Sequence, residues 1–121
     1  IGCKLTGTNF SESIFNHTTI RDCKGDYVIF SMSKLRNVSF NQCFLRGGGL
    51  DNCQFTNVEF EHCNLVEAEL HRTSLKGIDL TSSEIAGIRI GSIPGGELKG
   101  ATVTSLQALD IARMLGITIK D

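Results

Sequence analysis

Tryptophan is absent from this chain, and tyrosine and proline occur once each. An excess of either charge is also missing: 12 Lys and Arg stand against 13 Asp and Glu, for a net charge of −1. A chain this close to neutral is not built for bulk electrostatic binding of nucleic acid. No stretch approaches the ~20 apolar residues of a membrane-spanning helix, and the start does not read as a secretory signal. There is no P-loop, no Gly-x-Gly-x-x-Gly and no nucleophile elbow. With 121 residues, the chain is enough for one domain.

What the chain does have is a period of five. Leu5, Phe10, Phe15, Ile20, Phe30, Leu35, Phe40, Leu45, Leu50, Phe55, Phe60, Leu65, Leu70, Leu75, Leu80, Ile85 and Ile90 fall on every fifth position, and only Gly25 breaks the series. All the other positions up to 90 hold just six Leu, Ile or Phe. Helices repeat near 3.6 residues and strands at 2, so neither produces this spacing. It marks an internal repeat. The residue two before each of these centres is always small or β-branched. In extended backbone, residues two apart share a side. Each unit therefore sends one bulky and one small side chain inward, and two of its three outward residues turn a corner.

Cys3, Cys23, Cys43 and Cys63 recur at intervals of 20, each two before a centre; Cys53 has the same place in its unit on a different wall. If each unit turns about a quarter circle, four units close a 20-residue coil, and coils stack into a solenoid. The stacked cysteines lie ~4.8 Å apart. Disulfide geometry permits that spacing, but parallel side-chain directions disfavour a bridge. The five cysteines are expected to be reduced core thiols of a cytoplasmic protein.

Cys63-Asn64-Leu65, Thr8-Asn9-Phe10 and Ile78-Asp79-Leu80 follow the pattern small, polar, Leu or Phe. With them, residues 3 to 92 resemble the pentapeptide-repeat proteins. The resemblance implies an all-β fold, a right-handed quadrilateral β-helix.

The chain begins at Ile1 already in register, with nothing before Cys3 to cover an open end. A fragment or processed form of a longer protein is therefore expected. Gly25 implies either a tolerated packing defect, with Tyr27 swinging in to fill it, or a kink. Gly47-Gly48-Gly49 reads as the most flexible corner. Around Ser92-Ile93-Pro94-Gly95 the register slips by three residues, read as a surface loop over 92–96, and the pattern resumes with Leu98 and Val103. The β-helix is thus assigned to 1–103, about five coils and about 24 Å long.

Residues 104–121 change period. Thr104 and Gln107 match a capping box, which predicts a helix over about 105–115 ending at Gly116 in a left-handed cap. Leu106, Ala108, Leu109, Ile111, Ala112, Met114 and Leu115 are too many for one apolar face. One side plugs the last coil. The other, with an extended terminal strand at Ile117-Thr118-Ile119, either finds a two-fold partner through Leu106, Leu109, Ile111, Ala112, Leu115, Ile117 and Ile119 or stays as the cap of a monomer. Glu97-Leu98-Lys99-Gly100, Gln107-Ala108 and Leu115-Gly116-Ile117 are similar to the C-terminus of the quinolone-resistance branch of the family, and a glycine in a centre slot recurs there too. That resemblance implies a homodimer that binds bacterial DNA gyrase and topoisomerase IV as a DNA mimic and protects them from quinolones. Two features depart from the branch: no long loop projects between units, and the N-terminal part is short.

Sorting units modulo 20 gives four walls. The wall with centres 20, 40, 60 and 80 carries Asp22, Glu59, Glu61 and Asp79 against Arg21, net −3. The wall with centres 15, 35, 55 and 75 carries Lys34, Arg36 and Lys76, net +3, while Glu97 and Lys99 cancel. One acidic wall is thus expected opposite one basic wall. Duplex DNA of the rod's length carries about 14 charges, so these charges are read equally as an ordinary solvated surface. No enzyme site is expected: His17, His62 and His71 fall on different walls, and a filled solenoid has no pocket. His62 should point outward and its neighbour Cys63 inward, which makes a poor metal pair, and no metal or cofactor is assigned. A general interaction scaffold with an unknown partner is the alternative function.

Overall fold

The computed structural model describes residues 3–91 and 96–120. The five-residue positions form the interior: Phe30, Leu35, Phe40, Leu50, Leu65, Leu75 and Leu80 are all at most 1% exposed. Each contributes roughly 1.5–3 kcal/mol by leaving water. Their rings stack along the axis, Phe10 on Phe30 and Phe40 on Phe60, with centroids 5.4 and 5.0 Å apart. Leu5, Phe10, Phe15 and Ile20 in the first coil are half-buried.

Three strands, β1 (Ile14–Arg21), β2 (Lys34–Asn41) and β3 (Gln54–Glu61), pair in parallel in the order β1-β2-β3. Phe15 lies under Leu35 and Leu35 under Phe55, so the register is 20. Single bridges run up the other walls at the same interval, Lys4–Lys24–Phe44–Asn64–Glu84 and Asn9–Ile29–Gly49–Glu69–Arg89. The chain is therefore a four-sided β-helix with 20-residue coils. Asp79 pairs with Thr102, so the interval becomes 23 near the C-terminus, and the three extra residues lie between Leu80 and Thr102. The surface loop expected at Ser92–Gly95 lies outside the described residues.

The corners follow from backbone chirality. From Gly7 to Gly77, every residue two after a centre has positive φ. Nine of these fifteen are Gly, Asn, Asp or His, the residues that tolerate the left-handed region best. At many corners the N–H three after the centre closes onto the centre's carbonyl, as in Val28→Gly25, Gly48→Leu45 and Ala68→Leu65. This is the i→i+3 bond of a turn with positive φ at its third residue. At the corners after Phe10, Leu50 and Phe60 that bond is replaced by a hydroxyl from the next coil. Ser33 Oγ accepts from Ser13 N and donates to Phe10 O. Thr73 does the same for Cys53 N and Leu50 O, and Ser83 for Cys63 N and Phe60 O. Thiols of Cys43, Cys53 and Cys63 also donate to carbonyls 23 residues earlier. The small inward residue is thus a bonding group as well as a filler. Among the described residues, no buried side-chain N or O lacks a partner.

Two expectations about glycine are corrected. Gly25 causes neither a kink nor a void: its N–H holds the ladder to Phe44 O at 2.7 Å. A Leu45 methyl reaches to 3.3 Å from where a Cβ would stand. Tyr27 does not swing in but stays 60% exposed. Its ring lies over Gly47, where an added Cβ would meet Cε1 at 2.5 Å. Gly47-Gly48-Gly49 is consequently a hydrogen-bonded close-approach site, with Gly48 and Gly49 buried, and not a loose corner.

α1 spans Ser105–Met114, with both halves of the capping box formed between Thr104 and Gln107. Gly116 has φ +80, and Ile117 N donates back to Ala112 O, which closes the helix with a left-handed cap. The Gln107 amide also donates to Leu80 O and Ser83 O at 2.7 and 2.8 Å. One side chain thus caps the helix and docks it on the last coil. Residues 117–120 take up no strand, because no described edge pairs with them.

Candidate functional site

Three of the four acidic-wall residues come together. Glu59 and Glu61 leave β3 on the outward side, above Ser39 and Asn41. Asp79 continues Glu59's column twenty residues on. With His62 and Thr81 these three line one surface hollow of about 460 Å³, and no Lys or Arg is among its lining residues. Asn41 Nδ2 donates to Glu61 Oε2 at 3.1 Å. The hydroxyl of Thr81, then its N–H, donates to Asp79, and together they hold that carboxyl below its ordinary range.

Asp22 stands apart. It sits on the corner beyond this wall with φ +50 and lines a second hollow with Phe44, His62 and Glu84. His62 and Ser82 border both hollows, so the acidic strip turns the corner. Sorting by wall places Glu84 elsewhere; its position twenty after Asn64, in the column of the exposed Phe44, is the signal that finds it.

The basic wall is not opposite the acidic one. β2 carries Lys34 and Arg36 at one end and Phe40 at the other, so the two walls share a corner. Consecutive units occupy neighbouring walls, and centres 15 and 20 are consecutive.

Around the terminal helix, Leu106, Leu115 and Ile117 are 76%, 37% and 54% exposed. Leu109, Ala112 and Ile119 are half-buried. Ile111, expected at the same interface, instead packs with Met114 against the core, because that face plugs the coil. His62 is exposed and Cys63 is 2% exposed. Burial pushes the Cys23 and Cys53 thiols up. Among the described residues, no three His, Cys, Asp or Glu are grouped to hold a metal ion, and no helix is long and apolar enough to cross a membrane.

Solved structures with similar folds include trypsin-treated R167E QnrB1, a plasmid-mediated fluoroquinolone resistance protein. It is 15% identical with a TM-score of 0.45, over 99% of this chain and 79% of that one. Another is a pentapeptide repeat protein from the Arabidopsis thaliana thylakoid lumen, 22% identical with a TM-score of 0.43, over 75% of this chain and 70% of that one. No curated protein matches the sequence. The model of the pentapeptide repeat region matches residues 1–70. With the five-residue core, the left-handed corners and the 20-residue register, this match shows that the chain belongs to the pentapeptide-repeat family.

Proposed function

We propose that this chain is a non-enzymatic binding protein of the bacterial cytoplasm that engages type II topoisomerase, DNA gyrase or topoisomerase IV, in place of DNA and so shields it from quinolones. The observation that carries this reading is the hollow shared by Glu59, Glu61 and Asp79, free of Lys and Arg among its described lining residues. A surface of one sign attracts a partner of the other, and the topoisomerase surface that holds DNA is such a partner. The tail's similarity to the quinolone-resistance branch adds support. In this reading two copies pair through the exposed apolar residues Leu106, Leu115 and Ile117 with Leu109, Ala112 and Ile119.

The second reading, a scaffold for another partner, draws on the modest charge: three carboxylates in the hollow against about 14 on a DNA segment of this length. Gyrase supercoiling with ciprofloxacin separates the two. Under the first reading the protein protects or inhibits gyrase, and reversing Glu59, Glu61 and Asp79 to Lys abolishes the effect. Absence of any effect at excess protein refutes it.

A further inference from the structure

Among the described residues, Glu97 is the one buried charged side chain, at 7% exposure. The reason lies in the ladder. Up one column, the N–H two after each centre donates to the coil above: Glu12 to Ser31 O, Met32 to Asp51 O, Asn52 to His71 O. The next donor, Arg72 N, would take Gly91 O on that pattern. It donates instead to Glu97 Oε2 at 3.0 Å, and Gly91 N donates to the same oxygen at 2.8 Å. A Cβ on residue 91 would stand 2.7 Å from that oxygen, so the glycine leaves the carboxylate its room there. A side chain thus replaces the missing ladder carbonyl at the point where three residues enter the repeat.

The last turn, residues 96–120, is otherwise held along two walls. Leu75, Gly77 and Leu80 donate to Glu97, Gly100 and Thr102 carbonyls, and Thr102 N to Ile78 O. Gln107 adds its two bonds at the far corner. Leu98, Ala101, Val103, Ile111 and Met114 are only partly buried. This segment therefore has less holding it than the middle coils beneath.

We propose that Glu97 is an acid-sensitive clasp, and that neutralising its carboxylate lets residues 96–120 open as one unit while the lower coils stay folded. An ionised carboxylate accepts both N–H groups strongly; a protonated one accepts them weakly. The charged groups facing it are His71 and Arg72, which line the hollow beside it. Lys76 packs on Gly100, and Lys99 belongs to the same turn. Met114 of helix α1 and Leu115 just beyond it line a further hollow with His71, Gly91 and the charged Arg89. Burial pushes the Glu97 carboxyl up, but the Arg72 and Gly91 N–H bonds, helped by His71, outweigh it and hold the group below its ordinary value of 4.5. A lowered folded value means that the clasp contributes fully above the ordinary value. Its contribution is lost as pH falls through the folded one.

Native-state hydrogen exchange on the full chain tests this. The Leu75, Gly77, Leu80 and Thr102 amides report on the clasped turn, and Leu45 and Leu50 on the lower coils. From pH 6 to about pH 3, protection of the first set is expected to fall about tenfold or more relative to the second. E97Q should show that loss already at pH 6, about tenfold, with no further change in acid. D51N, which removes the neighbouring carboxylate below His71, should keep the wild-type response. A ratio in the wild type that does not move with pH overturns the proposal, as does a wild-type pH response retained by E97Q.

Discussion

Thr73 offers the sharpest test of how the coils are joined. Its side chain is 1% exposed, and its hydroxyl accepts from Cys53 N and donates to Leu50 O. Valine has nearly the same shape and is more apolar, so a purely hydrophobic core would tolerate or welcome it. The bonding argues otherwise. Thr73→Val strands a buried N–H and a buried C=O, at about 1–3 kcal/mol each. The apolar gain offsets ~1 kcal/mol, leaving a net loss of about 1–5 kcal/mol. Thr73→Ser keeps both bonds and removes one methyl group, a cost of about 1 kcal/mol. The expected order in urea unfolding followed by circular dichroism is wild type, then Ser, then Val, with unchanged slope. If Val proves as stable as Ser, the bridging hydroxyl is only a filler and the account of the open corners fails. A loss of this size is a large fraction of the stability of a domain, about 5–15 kcal/mol.

Other outcomes rest on the same geometry. Gly47→Ala, at φ +65 beneath the Tyr27 ring, should cost about 1–2 kcal/mol in backbone strain plus displacement of the ring. Adding Tyr27→Ala should recover only the second part, as a double-mutant cycle by thermal melting would show. Gln107→Ala removes half the capping box and two docking bonds, and should lower stability by about 1–3 kcal/mol and raise helix exchange rates. At pH 8, iodoacetamide should alkylate exposed Cys3 at least a hundredfold faster than Cys23 and Cys53. Their buried thiols have raised pKa values and stay protonated there. Mass spectrometry of the intact protein would count the modified thiols.

The interior was legible because each plug must be Leu, Ile or Phe and each facing residue small, which leaves a period that no other structure imitates. The corners were half legible: Asn37, Asn52, Asn57 and three glycines announce the left-handed column, whereas Glu12, Met32 and Arg72 hold the same φ without announcing it. What stayed hidden depends on neighbours in adjoining coils. Tyr27 next to Gly25 looks like its natural filler, but the space available to its ring lies over Gly47. Glu97 beside Lys99 looks like half of a solvated pair; only the interrupted ladder at Arg72 and Gly91 draws it inside. In the candidate site, Glu59, Glu61 and Asp79 were readable as one wall. The separation of Asp22 and the entry of Glu84 depend on how the surface bends at His62.

The 20-residue register gives this surface an unusual freedom. Duplicating a whole coil would raise every outward side chain by one level and leave its lateral surroundings intact. Adding a single unit would rotate every later unit onto the adjoining wall. A recognition strip can therefore grow or turn by copying segments of the gene, without redesigning the interior. Only insertions that are not multiples of five demand a local repair, and a buried carboxylate shows what such a repair looks like.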